Sequence, residues 1–312
     1  MTLTVLFADP GAWPEWERPL RNALAARELD CRQTADLSAD PASIDAIIYS
    51  NGSPLTDFRP YLRCRAVLNL WAGVEQVVVN PTLTQPLCRM VDPGMTQGIV
   101  EYVVGHVMRH HLGIDGHVLR QDGTWRHVEA PPLAGSRPVG MLGLGALGGA
   151  SAAALRDLGF PVLGWSRSPR LLQGITCHHG TEGLLAVLRA ARIVVTLLPL
   201  TPSTENLLDA RRLALLPRGA VIINPGRGAL IDDDALLAAL DSGAVGHATL
   251  DVFRTEPLPP EHPFWHHPNV TVTPHIAGGT RPETAADVLA ENLQRLAQGQ
   301  PLLHLVETAR GY

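Results

Sequence analysis

Three short segments of this chain carry side chains that together could do acid–base and anion chemistry. Asn224-Pro225-Gly226-Arg227-Gly228 sets an arginine between two glycines, Asp251-Val252-Phe253-Arg254-Thr255-Glu256-Pro257-Leu258 carries two carboxylates flanking an arginine, and Thr273-Pro274-His275 ends in a histidine. A histidine gives or takes a proton near neutral pH. A carboxylate beside it orients the ring and favours the imidazolium, and an arginine fork grips a carboxylate and polarises an adjoining carbonyl. Singly, each has a bland reading: Arg227 as a turn cation, Glu256 as a surface carboxylate before a proline, His275 as a strand-end histidine satisfied by backbone. Yet each segment leaves the C-terminal end of a short apolar run, where open parallel sheets place their sites. Together they supply an acid/base, its orienting carboxylate and a carboxylate clamp. The glycines beside Arg227 read as leaving its guanidinium a flexible, uncrowded corner.

A fourth segment has the form of a phosphate-binding turn. Val139-Gly140-Met141-Leu142 reads as a buried strand running into Gly143-Leu144-Gly145-Ala146-Leu147-Gly148, with a helix over Gly149–Gly159. At such a corner Gly143 permits the tight turn, Gly145 lets backbone approach a pyrophosphate, and Gly148 lets helix and strand pack closely. The helix start, with Ala146 and Leu147, adds N–H donors and a positive dipole end. In units that bind NAD, an acidic residue about 20 positions on ends the second strand and holds the ribose 2′-hydroxyl. Here that strand ends Ser166-Arg167-Ser168-Pro169-Arg170, with no carboxylate. A 2′-phosphate carries about two negative charges, which Arg167 and the Ser166 and Ser168 hydroxyls suit. NADP(H) is the expected cofactor, with NAD(H) as the alternative.

The elements that must hold these segments alternate along the chain, which predicts parallel α/β architecture. Strands are expected at Leu3–Phe7, Ala46–Tyr49 and Ala66–Leu70, with a helix near Trp16–Arg27 between the first two. Asp92-Pro93-Gly94 breaks the pattern, and a long helix is expected from Thr96, as N-cap, to about Arg120. After the Pro- and Gly-rich stretch 130–138, strands are expected at Pro138–Leu142, Pro161–Trp165, Ile193–Leu197, Ala220–Asn224, Ala248–Leu250 and Val270–Val272. A last helix near Glu283–Gln298 returns to the first domain. The predicted division is 1–94 with 283–312, and 95–282.

Composition narrows the function classes. A length of 312 residues suits two domains, and a net charge of −5 gives no basic nucleic-acid surface. No window approaches the roughly 18 apolar residues of a membrane span, and the start lacks a basic signal-peptide region. Cys31, Cys64, Cys88 and Cys177 form no C-x-x-C pair and read as reduced thiols of a cytoplasmic protein. There is no lysine: all 25 basic residues are arginine. That excludes Schiff-base chemistry and a P-loop lysine. His106, His110 and His111 read as helix-surface or interface residues, and His262, His266 and His267 as part of a packed connection, so no metal site is expected.

The ordered set of motifs resembles the D-isomer-specific 2-hydroxyacid dehydrogenases, and most of all their glyoxylate/hydroxypyruvate reductase A branch. The likeness runs from the first strand to Arg310-Gly311-Tyr312. Its branch-level cues are Gly94-Met95, Glu101-Tyr102 and His262-Pro263-Phe264-Trp265-His266-His267-Pro268. The resemblance implies two Rossmann-like doubly wound domains, a flavodoxin-like substrate domain and a dinucleotide-binding domain, forming a homodimer. It implies that NADPH delivers hydride to a small 2-oxo acid while His275 protonates the carbonyl oxygen, Glu256 holds the imidazole, and Arg227 binds the substrate carboxylate. Asp251 is implied to lie near the nicotinamide, and Leu198-Pro199 to line the adenosine side. A carboxylate-binding loop of the first domain corresponds to Leu70-Trp71-Ala72-Gly73-Val74-Glu75. It departs from the family pattern at Trp71, which narrows the pocket, and at Glu75, while Ala72 and Gly73 keep their amides. Met95, Thr96 and Trp125 are further candidates, Trp125 either near a dimer partner's site or packed on the surface. Two other readings use the same fold: a dinucleotide-sensing binding protein like the C-terminal-binding corepressors, and a dehydrogenase of another small acid such as formate.

Overall fold

The computed structural model describes residues 2–127 and 129–307, so Arg310-Gly311-Tyr312 lie outside the described residues. The chain divides into two compact units, Met1–Met95 with Thr280–Tyr312, and Thr96–Gly279. The first unit opens β1 (Leu3–Phe7), α1 (Trp13–Ala25), β2 (Cys31–Thr34), β3 (Ala46–Tyr49), β4 (Val67–Asn69), the single turn α2 (Glu75–Val78) and β5 (Leu87–Cys88). Helices α3 (Pro93–Leu112) and α4 (Ile114–Val118) follow. The second sheet is then built from β6 (Val139–Leu142), α5 (Ala146–Asp157), β7 (Val162–Ser166), β8 (Thr176–His179), α6 (Gly180–Ala190) and β9 (Ile193–Thr196). It continues through α7 (Ala210–Leu213), β10 (Ala220–Asn224), α8 (Asp233–Asp241), β11 (Val245–Leu250) and β12 (Val270–Val272), before α9 (Pro282–Gln298).

Both sheets are parallel throughout. The first has the order β2-β1-β3-β4-β5, the doubly wound arrangement of flavodoxin-like units, and the second β12-β11-β10-β9-β6-β7-β8. In the second sheet β6 lies between β7 and β9, in register Leu142↔Trp165 and Leu142↔Thr196. The strand order therefore reverses beside β6, which is where such sheets open a ligand-binding crevice at their C-terminal ends. The apolar runs legible in the sequence are these buried strands: β6, β9 and most of β10 and β11 are sealed from solvent. In the first unit α1 buries Trp16, Leu20 and Leu24, and α9 buries Leu289, Leu293 and Leu296.

Several boundaries differ from expectation. The long helix starts at Pro93, not Thr96. Asp92 Oδ1 accepts the N–H groups of Gly94 at 2.8 Å and Met95 at 3.1 Å, so the supposed pattern break is the helix start with proline in its first turn. The helix ends at Leu112 because Gly113 turns left-handed (φ +66°), and α4 is a separate short helix. Helix α5 begins at Ala146, directly on the glycine turn rather than at Gly149. Strands β2, β5 and β8 were not expected: they are short, and β2 and β8 are polar edge strands with no apolar run to mark them.

Candidate active site

The glycine corner is shaped by close backbone approach. Gly143 has φ +111°, and a Cβ there would collide with the Leu197 carbonyl; a Cβ on Gly148 would collide with the Gly143 carbonyl. Both glycines are therefore required by the fold. Gly145 is different: a Cβ there meets nothing within 4 Å, and Gly145 and Ala146 are exposed. The open space lies over the start of α5, where first-turn N–H groups, including those of Ala146 and Leu147, lack intrahelical partners. That cradle fits a pyrophosphate.

At the end of the neighbouring strand β7, Ser166 Oγ donates to the Ser168 carbonyl at 2.8 Å, curling the loop so that Arg167 and Ser168 are exposed. The described residues of this loop include no carboxylate. On the other side of β6, Leu198 and Pro199 leave the end of β9 half-buried, and the Pro199 carbonyl accepts the Thr204 hydroxyl at 2.7 Å.

Arg227 stands on a turn held by Asn224. The buried Asn224 side chain accepts the Thr196 hydroxyl at 2.6 Å and the Gly226 N–H at 3.1 Å, and donates to the Arg227 carbonyl at 2.9 Å. The corner is not flexible, as the sequence reading had it. Gly228 lies so close to the Phe253 backbone, and Gly226 to the Thr196 carbonyl, that either Cβ would clash. The glycines thus pack the turn tightly, and Arg227 is half-buried, with Nη1 donating to the Gly226 carbonyl at 2.7 Å.

The histidine loop follows β12. His275 has φ +54°, a left-handed conformation uncommon for any residue but glycine. It is held there by Asp251, which is completely buried. The Asp251 carbonyl accepts the His275 N–H at 2.8 Å. Oδ1 accepts the Thr273 hydroxyl at 2.6 Å and the Ile276 N–H at 2.9 Å, and Oδ2 the Ala277 N–H at 2.9 Å. His275 Nδ1 pairs with Glu256 Oε2 at 2.7 Å, and Glu256 Oε1 is anchored by the Phe253 N–H at 2.8 Å. Both side chains are partly open to water (45% and 36%), and His275 Nε2 has no hydrogen-bond partner among the described residues. A histidine with Nδ1 on a fixed carboxylate and Nε2 open is the arrangement a proton donor to substrate requires.

In the first unit, the loop after β4 is drawn inward by Asn69, whose Nδ2 donates to the carbonyls of Trp71 at 3.0 Å and Gly73 at 2.9 Å. The amides of Ala72 and Gly73 have no acceptor among the described residues, and Trp71 is 41% exposed. Met95 is buried. Trp125 is 88% exposed.

The α3 histidines, read from the sequence as helix-surface or interface residues, are half-buried (His106 and His110) or buried (His111). His111 is buried, with its ring edge-on to Phe160 at 5.0 Å. His110 Nε2 bonds the Thr249 hydroxyl at 2.9 Å beside the His247 ring, and burial pulls His110 down to about 3 and His247 to about 4. His106 lies against the ring of Tyr102 at 4.4 Å, and burial lowers it as well. The loop histidines cap local structure: His262 Nδ1 accepts the Phe264 N–H and His267 Nδ1 the Asn269 N–H. Among the described residues no group of three or more histidine, cysteine or acidic side chains could hold a metal, and no helix is long and apolar enough to cross a membrane.

Residues 103–277 match the family model of the D-isomer specific 2-hydroxyacid dehydrogenase NAD binding domain. The chain belongs to the D-isomer specific 2-hydroxyacid dehydrogenases. It is 40% identical over 258 residues to the glyoxylate/hydroxypyruvate reductase A of Serratia proteamaculans, covering 80% of this chain and 82% of that protein. Among solved structures, this dehydrogenase is similar to a D-isomer specific 2-hydroxyacid dehydrogenase from Xanthobacter autotrophicus in complex with NADPH and MES (TM-score 0.91, 40% identity, 99% of each chain). It is also similar to the NADPH-dependent glyoxylate/hydroxypyruvate reductase of Sinorhizobium meliloti in complex with NADP and sulfate (TM-score 0.86, 33% identity, 100% and 99% of the chains). Sequence reasoning had not given the dehydrogenase's Asn224, Thr196, Thr273 and Asn69 any role. Asn224, Asn69 and Thr196 share one weak signal, a polar residue ending a buried strand.

Proposed function

We propose that the chain is an NADPH-preferring reductase of small 2-oxo acids, glyoxylate and hydroxypyruvate among them, forming D-2-hydroxy acids. The observation that carries this reading is the pairing of His275 Nδ1 with Glu256 while Nε2 stays open. NADPH, where bound, supplies the hydride. Gly143, Gly145, Ala146, Leu147 and Gly148 hold its pyrophosphate, Leu198 and Pro199 line the adenosine side, and Asp251 lies beside the nicotinamide. Ser166, Arg167 and Ser168 bind the 2′-phosphate, a choice supported by the absence of a carboxylate there and by NADPH or NADP in the Xanthobacter and Sinorhizobium relatives. In the second unit Arg227 holds the substrate carboxylate; in the first, the open amides of Ala72 and Gly73 are anion donors of the kind a small acid needs, with Trp71 beside them. His275 Nε2 gives its proton to the carbonyl oxygen as negative charge develops there, and Glu256 stabilises the ring while it is charged.

A homodimer fits the same reading. Leu112, Ile114, Val118, Leu119, Trp125 and Leu133 are all exposed along one stretch of the chain, as apolar side chains awaiting a partner surface would be. The four free cysteines fit a reducing cytoplasm. The test is a panel of initial rates with NADPH and NADH against glyoxylate, hydroxypyruvate, pyruvate and phenylpyruvate. Fast NADPH-dependent turnover of the two small acids is expected. Tight dinucleotide binding without turnover of any acid would favour a dinucleotide-sensing binding protein, and turnover of a different acid a related dehydrogenase.

A further inference from the structure

Tyr102 reaches the histidine loop from a distant part of the sequence. Its hydroxyl lies 2.7 Å from Thr273 Oγ1, and the Thr273 hydroxyl in turn lies 2.6 Å from Asp251 Oδ1. Thr273 has one proton, and the carboxylate is its acceptor, so the phenol must be the donor to Thr273. Burial pushes the Tyr102 phenol up, which keeps it a neutral donor. The relay ends at the carboxylate that also receives the Ile276 and Ala277 N–H groups, the two amides following His275.

This contact belongs to a hydrogen-bonded seam between α3 and the last two strands. Arg109 Nη2 donates to the Thr271 hydroxyl at 3.0 Å, His247 bonds the same hydroxyl at 2.9 Å, and His110 bonds Thr249 at 2.9 Å. Ile99, Val103 and Val107 supply the apolar packing of α3. Apolar contacts alone tolerate small slides of a helix, whereas a row of directional bonds to successive threonines selects one register. A phenylalanine at 102 would keep the ring contact with His106; the hydroxyl is required only for the relay.

We propose that Tyr102 and Thr273 are positioning residues, which act through Asp251 to set the aim and tautomer of His275. The proposal rests on the reading of His275 as the proton donor. Its effect is on the Nδ1–Glu256 bond. If the loop beyond His275 relaxes, that bond loosens, and the proton is no longer confined to Nδ1.

The test compares Tyr102→Phe, Thr273→Val, Thr273→Ser and the Tyr102→Phe/Thr273→Val pair. The first readout is the ring-nitrogen NMR shifts of His275 in the purified full chain, which report its tautomer without any turnover. Tyr102→Phe and Thr273→Val are expected to move these shifts toward a mixture, and Thr273→Ser to keep those of the wild type. The pair should be no worse than Thr273→Val alone, since both act along one path. Loss of one relayed hydrogen bond is expected to lower kcat about three- to tenfold and alter its pH profile, with KM for the acid unchanged. Wild-type shifts and pH profile in Tyr102→Phe, with only a lower melting temperature, would overturn the proposal. Absence of oxo-acid turnover in the wild type would count against the proposed function, while the NMR comparison would still decide the relay.

Discussion

Two corners of the second unit hold backbone in conformations most residues avoid, and they do so by opposite means. At Gly143–Gly148 the chain is shaped by missing side chains: carbonyls occupy the volume where Cβ atoms would stand. At Thr273–Ala277 an ordinary residue, His275, is held left-handed by hydrogen bonds converging on one buried carboxylate. A corner built by absence is rigid for steric reasons and can do little but cradle a ligand. A corner built by bonds keeps a functional side chain, and its aim depends on every bond in the set. Phosphate binding needs only backbone N–H groups, whereas proton transfer needs an imidazole in one orientation.

Substitutions separate the two cases. His275→Ala removes the proposed acid/base and should lower kcat about 10²–10⁴-fold, with dinucleotide affinity unchanged by calorimetry; a comparable loss of affinity would mean that the histidine loop serves binding. Arg167→Ala should weaken NADPH against NADH by about 10- to 100-fold, the worth of charged hydrogen bonds to a phosphate. Equal weakening of both would remove Arg167 from the 2′-phosphate site. Gly148→Ala should cost about 1–3 kcal/mol of stability through overlap with the Gly143 carbonyl. Gly145→Ala should change stability by less than about 0.5 kcal/mol while weakening the dinucleotide, because its Cβ projects into open space. Equal melting temperatures for the two variants would contradict the steric account. A further prediction concerns pH. His110 and His247 are held at about 3 and about 4 by burial, against about 6.5 in an unfolded chain. As pH falls below about 6.5 the unfolded chain takes up protons that the native one does not, so stability is complete above that value and declines toward pH 4. Melting curves across this range should show the decline, and His110→Gln should flatten it.

The two corners also differ in how far the sequence revealed them. The glycine turn is local: six consecutive residues, a strand before and a helix after, so spacing alone located it. The acid loop depends on partners far apart in the chain. Tyr102 and Thr273 are 171 positions apart, and Asp251 and Ala277 are 26 apart. No periodicity links them. His275, Glu256 and Arg227 could be nominated because their chemistry is distinctive, but threonine and asparagine at strand ends are too common to single out. The same limit hid the α3 seam, where histidines on a helix read as surface or interface residues until the threonines beside them were placed. Helix α3 itself was misbounded because Asp92-Pro93-Gly94 has turn composition, and only the bonds from Gly94 and Met95 to Asp92 make it a cap.

The most direct measurement is the configuration of the glycerate formed from hydroxypyruvate and NADPH, with wild type and His275→Ala in parallel. If Arg227 holds the acid and His275 is the proton donor, as proposed, a single enantiomer forms; membership of the D-isomer specific dehydrogenases makes it D-glycerate from the wild type, with almost none from the variant. L-glycerate, or equal product from both proteins, would contradict it.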